Sequence, residues 1–189
     1  LIPFCIFLFS IFVNRSFTLE SHSLGLNLQK YSTIFPLSDG ILQPQRILLP
    51  LLGRVLNINL QLINLFFLII FLGCFYNYLL KSQSRTSAIL ITLGLSASMV
   101  IQFHLNFGGY PDILSYLLLL IAYIYKRKNI TPYVVLFFAL ITKETVVFTF
   151  LFFLLLKEIS KLKLLLSFIF YIPIYIYFSN GELDLNYYL

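Results

Sequence analysis

Hydrophobic residues in this chain form long, nearly continuous runs separated by polar segments. The main runs cover about Leu1–Val13, Ile58–Leu80, Ser87–Phe107, Ile113–Tyr125 and Leu164–Phe178. A helix needs about 20 apolar residues to cross a bilayer, and backbone inside lipid must satisfy its own hydrogen bonds, which leaves helices or closed barrels. Because the runs are continuous rather than alternating, they predict an all-α polytopic membrane protein with about five spans in a single transmembrane domain.

Two segments between the first and second runs have a different pattern. Residues 14–46 form an unusually long polar stretch, which is predicted to be a loop outside the membrane. Residues 47–57 (ILLPLLGRVLN) are apolar but too short to span, and Pro50, Gly53 and Arg54 interrupt them. This pattern predicts an interfacial helix lying at the membrane surface.

The apolar run at residues 130–156 carries Lys143 and Glu144 in its middle. As one spanning helix it would place the basic clusters that flank it on opposite faces of the membrane, against the positive-inside rule. As two short helices, about Ile130–Ile141 and Val146–Leu156, it returns both clusters to one face. The sequence therefore predicts a short helical hairpin with a tip partway into the membrane, where irregular backbone must be buried in protein or line a cavity.

Composition supports the membrane class. The chain is 60% hydrophobic and 11% charged, whereas soluble domains carry about 25% charged residues. The net charge of +6 does not indicate nucleic-acid binding, because the basic residues lie in short loops, as membrane topology requires. The cytoplasmic side is defined by Lys81, Arg85, Lys126, Arg127, Lys128, Lys157, Lys161 and Lys163. Six of the seven acidic residues fall on the other side, which suggests a working outer face.

The first outer loop contributes three candidates for chemistry, each with a structural alternative. Glu20 is either a general base or metal ligand or a solvated loop residue. Asp39 precedes Gly40, so it is either catalytic or part of a turn. Arg46 either binds a phosphate through its planar guanidinium or snorkels toward lipid headgroups.

Further candidates lie at the outer ends of the later runs. His104 is an interfacial residue or a ligand, and its separation from His22 predicts no metal site. Asp112 opens a helix, where the helix dipole alone favours a carboxylate. Lys143 and Glu144 are either a wet hairpin tip or functional groups, because ionisable residues inside a membrane segment cost roughly 2.5–3.5 kcal/mol each.

Four features together resemble a known family. They are the carboxylate in the long first outer loop, the string QRILLPLL at Gln45–Leu52, the turn Gly109–Asp112 that opens a helix, and the string ALITKE at Ala139–Glu144. This combination resembles the GT-C superfamily of membrane glycosyltransferases, which use dolichyl- or polyprenyl-phosphate sugars.

The resemblance implies transfer of a sugar from a polyprenyl-phosphate carrier to an acceptor glycan, lipid or protein. The reaction would occur on the outer face of a bacterial plasma membrane. The resemblance leaves open whether it requires a divalent cation. Glu20 would match the first-loop acid, which acts on the acceptor hydroxyl or helps hold a metal, while Arg46 and Lys143 would contact the phosphate. The catalytic candidates are then Glu20 and Asp39, and the substrate-binding candidates are Arg46, His104, Tyr110, Asp112, Lys143 and Glu144.

Two alternatives remain open at this stage. A transporter or flippase-like protein would line its path with Lys143 and Glu144, and inverted repeats would favour it, although the sequence shows no convincing repeat. An inactive fragment is the second alternative. The chain begins at Leu1 inside an apolar run, and it has about seven membrane segments where members of the family usually have eight or more spans.

Overall fold

The predicted all-α class is confirmed. A computed structural model describes residues 1–13, 48–58, 60–106 and 112–178, and within these ranges every regular element is helical. The helices in chain order are α1 (Ile2–Val13), α2 (Leu48–Leu56), α3 (Leu60–Leu79), α4 (Arg85–Ser96), α5 (Met99–Asn106), α6 (Asp112–Ile124), α7 (Thr131–Thr142), α8 (Val147–Leu155) and α9 (Lys161–Phe178), with a 3₁₀ turn at Glu144–Val146 between α7 and α8.

Helix α3 is the long apolar helix at the centre of the bundle. Among the described residues it is the one helix long and apolar enough to cross a membrane, at 20 residues. Helices α1, α6 and α7 are also apolar but have 12, 13 and 12 residues. At a rise of 1.5 Å per residue each is shorter than the hydrocarbon core of about 30 Å, so the number of full spans stays a prediction.

The prediction of one helix over Ser87–Phe107 is wrong. The helix is interrupted at residues 97–98, so that two helices, α4 and α5, stand in its place. The Ser96 hydroxyl donates to the carbonyl of Leu93 at 2.8 Å. The side-chain amide of Gln102 donates to the carbonyl of Ser96 at 2.8 Å. These side-chain hydrogen bonds satisfy backbone carbonyls at the interruption. The continuous series of backbone hydrogen bonds of an unbroken helix is therefore not required there.

Helix α2 corresponds to the predicted interfacial helix and packs against the start of α3. Leu49 is fully buried there, and a Cβ added at Gly53 would lie 2.4 Å from Cδ2 of Leu60. The helix ends at Leu56, Asn57 follows with a φ of 52°, and the N–H of Ile58 donates to the carbonyl of Gly53 at 3.1 Å. This is a Schellman-type end, and glycine allows the two helices to approach closely.

Helices α3 and α6 run parallel through the middle of the bundle. At their starts, Leu60 and Leu114 belong to one buried cluster. At their ends, the rings of Tyr78 and Tyr123 have centroids 5.8 Å apart. Helix α1 packs against α3 and α4, while α7 packs against α6 on one side and α9 on the other.

Helix α7 starts at one end of the bundle, and α8 returns the chain to that same end. The N–H of Ser160, just after α8, donates to the hydroxyl of Tyr133 in the first turn of α7 at 2.7 Å. The ammonium of Lys126, just after α6, lies 3.6 Å from the carboxylate of Glu158. The backbone turns at Lys143, which is extended. This segment therefore consists of two short helices, as the placement of charges in the sequence predicts.

The two ends of the bundle carry different charges. Eight cationic residues and Glu158 lie at or next to the end formed by the loops after α3, α6 and α8, which we call the basic end. Asp112 begins α6 and Lys143 ends α7 at the other end, which we call the Asp112 end. The cations of the basic end are Lys81, Arg85, Lys126, Arg127, Lys128, Lys157, Lys161 and Lys163.

Glu158 links two loops of the basic end. Its carboxylate lies 3.6 Å from the ammonium of Lys126 and 3.9 Å from the guanidinium of Arg127. The pKa of Glu158 is lowered, first by a hydrogen bond from its own backbone and further by the charges of Lys126 and Arg127. A carboxylate with a lowered pKa stabilises the folded state above its ordinary pKa and loses that contribution as the pH falls through the folded value.

We expect acidification below the ordinary pKa range of glutamate to loosen the contact between these two loops. Amide exchange at Ser160, corrected for the intrinsic effect of pH, would report it, because this N–H is bonded across the loops to Tyr133. Glu158→Gln should remove the acid-dependent part of the change. Equal acid dependence in the variant would show that Glu158 does not link the loops.

Candidate functional site

The structure brings two of the predicted site residues, Asp112 and Lys143, into direct contact. The ammonium of Lys143 donates to Oδ1 of Asp112 across 31 residues of sequence. Asp112 is buried, with 2% of its surface exposed, while the side chain of Lys143 is 21% exposed. The carboxylate is therefore enclosed by the bundle, whereas the lysine side chain reaches the molecular surface.

Each partner is held by the end of the helix on which it lies. Asp112 occupies the first turn of α6, and the hydroxyl of Ser115 donates to its carbonyl at 2.7 Å. Lys143 follows the last turn of α7, where its N–H donates to the carbonyl of Ala139 and its carbonyl accepts from Val146. The helix dipoles favour a negative charge at the first position and a positive charge at the second.

Other buried polar side chains collect at the same end of the bundle. Gln61 and Asn64 lie in the first two turns of α3 and are 1% and 4% exposed. The amide of Gln61 donates to the carbonyl of Leu105 in α5 at 3.5 Å. Thr142 is fully buried, and its hydroxyl donates to the carbonyl of Phe138 at 2.8 Å. The Asp112 end therefore encloses several polar side chains, including two amides and a carboxylate.

Sequence reasoning missed Gln61 and Asn64. The available signal was their spacing, since residues three apart lie on the same face of a helix and polar residues inside an apolar run face the bundle interior. Both amides lie near the start of α3, the end that packs against the start of α6 through Leu60 and Leu114.

The remaining predicted site residues are only partly covered by the structure. Residues Glu20, Asp39, Arg46 and Tyr110 lie outside the described ranges. His104 lies in α5, and Glu144 opens the 3₁₀ turn, although their side chains lie outside the described part. His104 directly precedes Leu105, whose carbonyl accepts from Gln61, so its backbone lies at the Asp112 end.

The chemistry available in the described site is that of a charge pair. Within the described ranges, no group of three or more His, Cys, Asp or Glu side chains lies close enough to hold a metal ion. A carboxylate this deeply buried is stable in its charged form only if it is paired and hydrogen-bonded, and Lys143 supplies that pairing. The pair in turn fixes the position of the lysine ammonium at the Asp112 end.

Comparisons of the chain with family models, with curated proteins and with solved structures found no match. The fold and site define an all-helical protein with a buried ion pair at one end and a cluster of cations at the other. The resemblance seen in the sequence motifs stays a prediction.

Proposed function

We propose that the chain is a polytopic integral membrane protein whose basic end faces the cytoplasm. Large apolar side chains on the flanks of the bundle are exposed, which in water is unfavourable and in lipid is not. Leu62 and Phe66, one turn apart on α3, are 52% and 58% exposed, and Phe148 of α8 is 72% exposed. The concentration of cations at one end matches the positive-inside rule.

Cysteine accessibility tests this orientation. In a chain with Cys5 and Cys74 replaced by alanine, single cysteines would be placed at Ile58 and Arg127, which lie at opposite ends. A membrane-impermeant maleimide should label Ile58→Cys in intact cells and label Arg127→Cys only after permeabilisation. Both side chains are accessible, since Ile58 is 44% exposed and the Arg127 side chain 83% exposed. Labelling of both before permeabilisation would contradict the proposed orientation.

The proposed activity is transfer of a sugar from a polyprenyl-phosphate carrier to an acceptor hydroxyl at the Asp112 end, on the outer face of a bacterial plasma membrane. The observation that carries this proposal is the Asp112–Lys143 ion pair at the end of the bundle where Gln61, Asn64 and Thr142 are also buried. In lipid, a buried ion pair away from the basic loops is expensive, and such pairs mark functional sites by default.

Sugar transfer requires three chemical events. The acceptor hydroxyl loses its proton to a base as its oxygen bonds to the anomeric carbon. The bond between that carbon and the phosphate oxygen breaks, and the phosphate leaves with the bonding electrons. A cation fixed in place then stabilises the charge that develops on the phosphate. Lys143 supplies that cation, Asp112 positions it, and Glu20 of the first outer loop is the proposed base.

A transfer assay tests the proposed activity in membranes that contain the full chain and a radiolabelled polyprenyl-phosphate sugar. Removing one preorganised charge-stabilising group costs about 10²–10³-fold in rate, so Lys143→Ala should lose activity on that scale while Lys143→Arg keeps part of it. Glu20→Gln and Asp39→Asn test the proposed acids of the first outer loop. Lys81→Ala, which removes an exposed cation from the basic end, is the matched control.

Two results would overturn the transferase proposal. The first is a wild-type chain that consumes no lipid-linked sugar, which would favour a transporter with Asp112 and Lys143 lining its path. The second is a Lys143→Ala variant that keeps wild-type transfer at equal abundance in the membrane.

A further inference from the structure

A groove runs along the outside of the bundle between α7 and α9, away from the Asp112–Lys143 pair. It has a volume of about 450 Å³, within the range of small-molecule sites. Its walls are almost entirely apolar, and its polar side chains come from Tyr133, Lys163 and Ser167. The groove is open along its length, and Phe170 on its wall is 67% exposed.

The two helices that form the groove start at the same end. The hydroxyl of Ser167 donates to the carbonyl of Tyr133 at 3.2 Å, and the ammonium of Lys163 donates to the carbonyl and side-chain oxygens of Asn129. Helices α7 and α9 are therefore parallel. Lys163 stands at the basic end of the groove and Ile174 at the far end.

The length of the groove matches half of a bilayer. From Lys163 to Ile174 the axis of α9 rises about 16 Å, and one leaflet of hydrocarbon is about 15 Å thick. A single acyl chain that starts at the level of Lys163 would therefore lie against apolar walls for the depth of one leaflet.

The charge at the basic end of the groove favours an anionic headgroup. Lys163 contacts neutral groups, the oxygens of Asn129 and the ring of Tyr133 at 5.8 Å. Glu158, the carboxylate described at this end, is occupied by Lys126 and Arg127. Lysine has three donors, and the two bonds from Lys163 to Asn129 use two of them, so the third can bind a phosphate oxygen. The neighbouring loops add the cations Lys128, Lys157 and Lys161.

We propose that this groove binds an anionic phospholipid of the cytoplasmic leaflet, with one acyl chain between α7 and α9 and its phosphate at Lys163. The inference rests on the proposed membrane orientation and is independent of sugar transfer. Basic sites between helices on the cytoplasmic side are suited to anionic headgroups, and each cation near the membrane surface contributes about 1 kcal/mol.

Lipid retention tests the proposal. The full chain would be reconstituted in bilayer discs of phosphatidylcholine with a minor fraction of phosphatidylglycerol, and the lipids that stay bound after extraction counted by native mass spectrometry. The wild type should retain phosphatidylglycerol in preference to phosphatidylcholine. Lys163→Gln should lower that preference about fivefold, the equivalent of one cation. Val134→Trp, which fills the groove from a position 45% exposed, should reduce retention of both lipids.

Two controls separate the groove from general effects of charge and bulk. Lys81→Gln removes a cation from the basic end outside the groove, and Leu165→Trp introduces the same side chain at an exposed position of α9 that does not line it. Both should behave as the wild type. Equal retention of the two lipids, or no effect of Val134→Trp, in a chain that inserts in the discs would overturn this inference alone. A chain that does not insert at all would overturn the proposed membrane placement and this inference with it.

Discussion

Lys143→Ala should lower the free energy of unfolding by about 3–5 kcal/mol, the usual cost of breaking a buried ion pair by removing one partner. The loss arises because the Asp112 carboxylate is 2% exposed and would keep its burial without the ammonium that now binds it. Reversible unfolding in detergent micelles, followed by circular dichroism, would measure the difference between variant and wild type.

The double variant Asp112→Asn/Lys143→Met is the decisive control for this prediction. Removing one partner of a buried pair is costly because it leaves an uncompensated charge. The double variant leaves no charge, so it should be much closer to the wild type than Lys143→Ala. If the single variant costs less than about 1 kcal/mol, the carboxylate is not buried in the way the structure shows. Transfer activity should be lost in both variants, which separates stability from the proposed role of the cation.

Leu140→Ala should cost about 2–5 kcal/mol, the range for a large-to-small substitution in a packed core. Leu140 is fully buried in α7 and belongs to the largest hydrophobic cluster described, which joins α6, α7, α8 and α9. The substitution would leave a cavity at the centre of this cluster. The same micelle unfolding measurement would give the size of the effect.

The matched control is Leu151→Ala on α8, where the same atoms are removed from a side chain that is 64% exposed. In lipid, an exposed leucine exchanges contacts with acyl chains rather than with protein, so this substitution should change the free energy of unfolding little. Equal losses at the two positions would contradict the burial of Leu140 among α6, α7, α8 and α9.

The apolar pattern of the sequence predicted most helices well, because helices and loops differ in composition along this chain. The second run, predicted at Ile58–Leu80, is α3 at Leu60–Leu79, and the fourth is α6 at Asp112–Ile124. The division at Lys143 also followed from sequence, since only two short helices keep the flanking cations together. These features depend on local composition and on the rule that governs basic loops.

The break at residues 97–98 could not be found in this way. Small residues there do not interrupt the hydrophobic run, and the groups that stabilise the break come from elsewhere in the fold. The amide of Gln102 donates to the carbonyl of Ser96 in α4 and, at 3.2 Å, to the carbonyl of Ser10 in α1. A contact that spans 92 residues depends on the packing of three helices, which composition does not encode.

The sequence predicted residues of the candidate site, but it did not predict how they are arranged. Asp112 and Lys143 were both singled out, one as a helix start and the other as a charge inside an apolar run. Their pairing requires α6 and α7 to be antiparallel with these two ends in register. Gln61 and Asn64 were passed over because one amide or two in a long apolar helix change its hydropathy little, although their spacing places them on one face.

Helix α8 returns to the end of the bundle at which α7 starts. Together the two helices therefore do not change the end from which the chain continues. Residues after Ser160 resume at the end where α6 finished, as the contact between Ser160 and Tyr133 shows. Whether the pair is present or absent, α9 therefore begins on the same side. In a membrane protein, an insertion of this kind can add an enclosed polar site without inverting anything that follows it, whereas loss of one full crossing would invert everything after it.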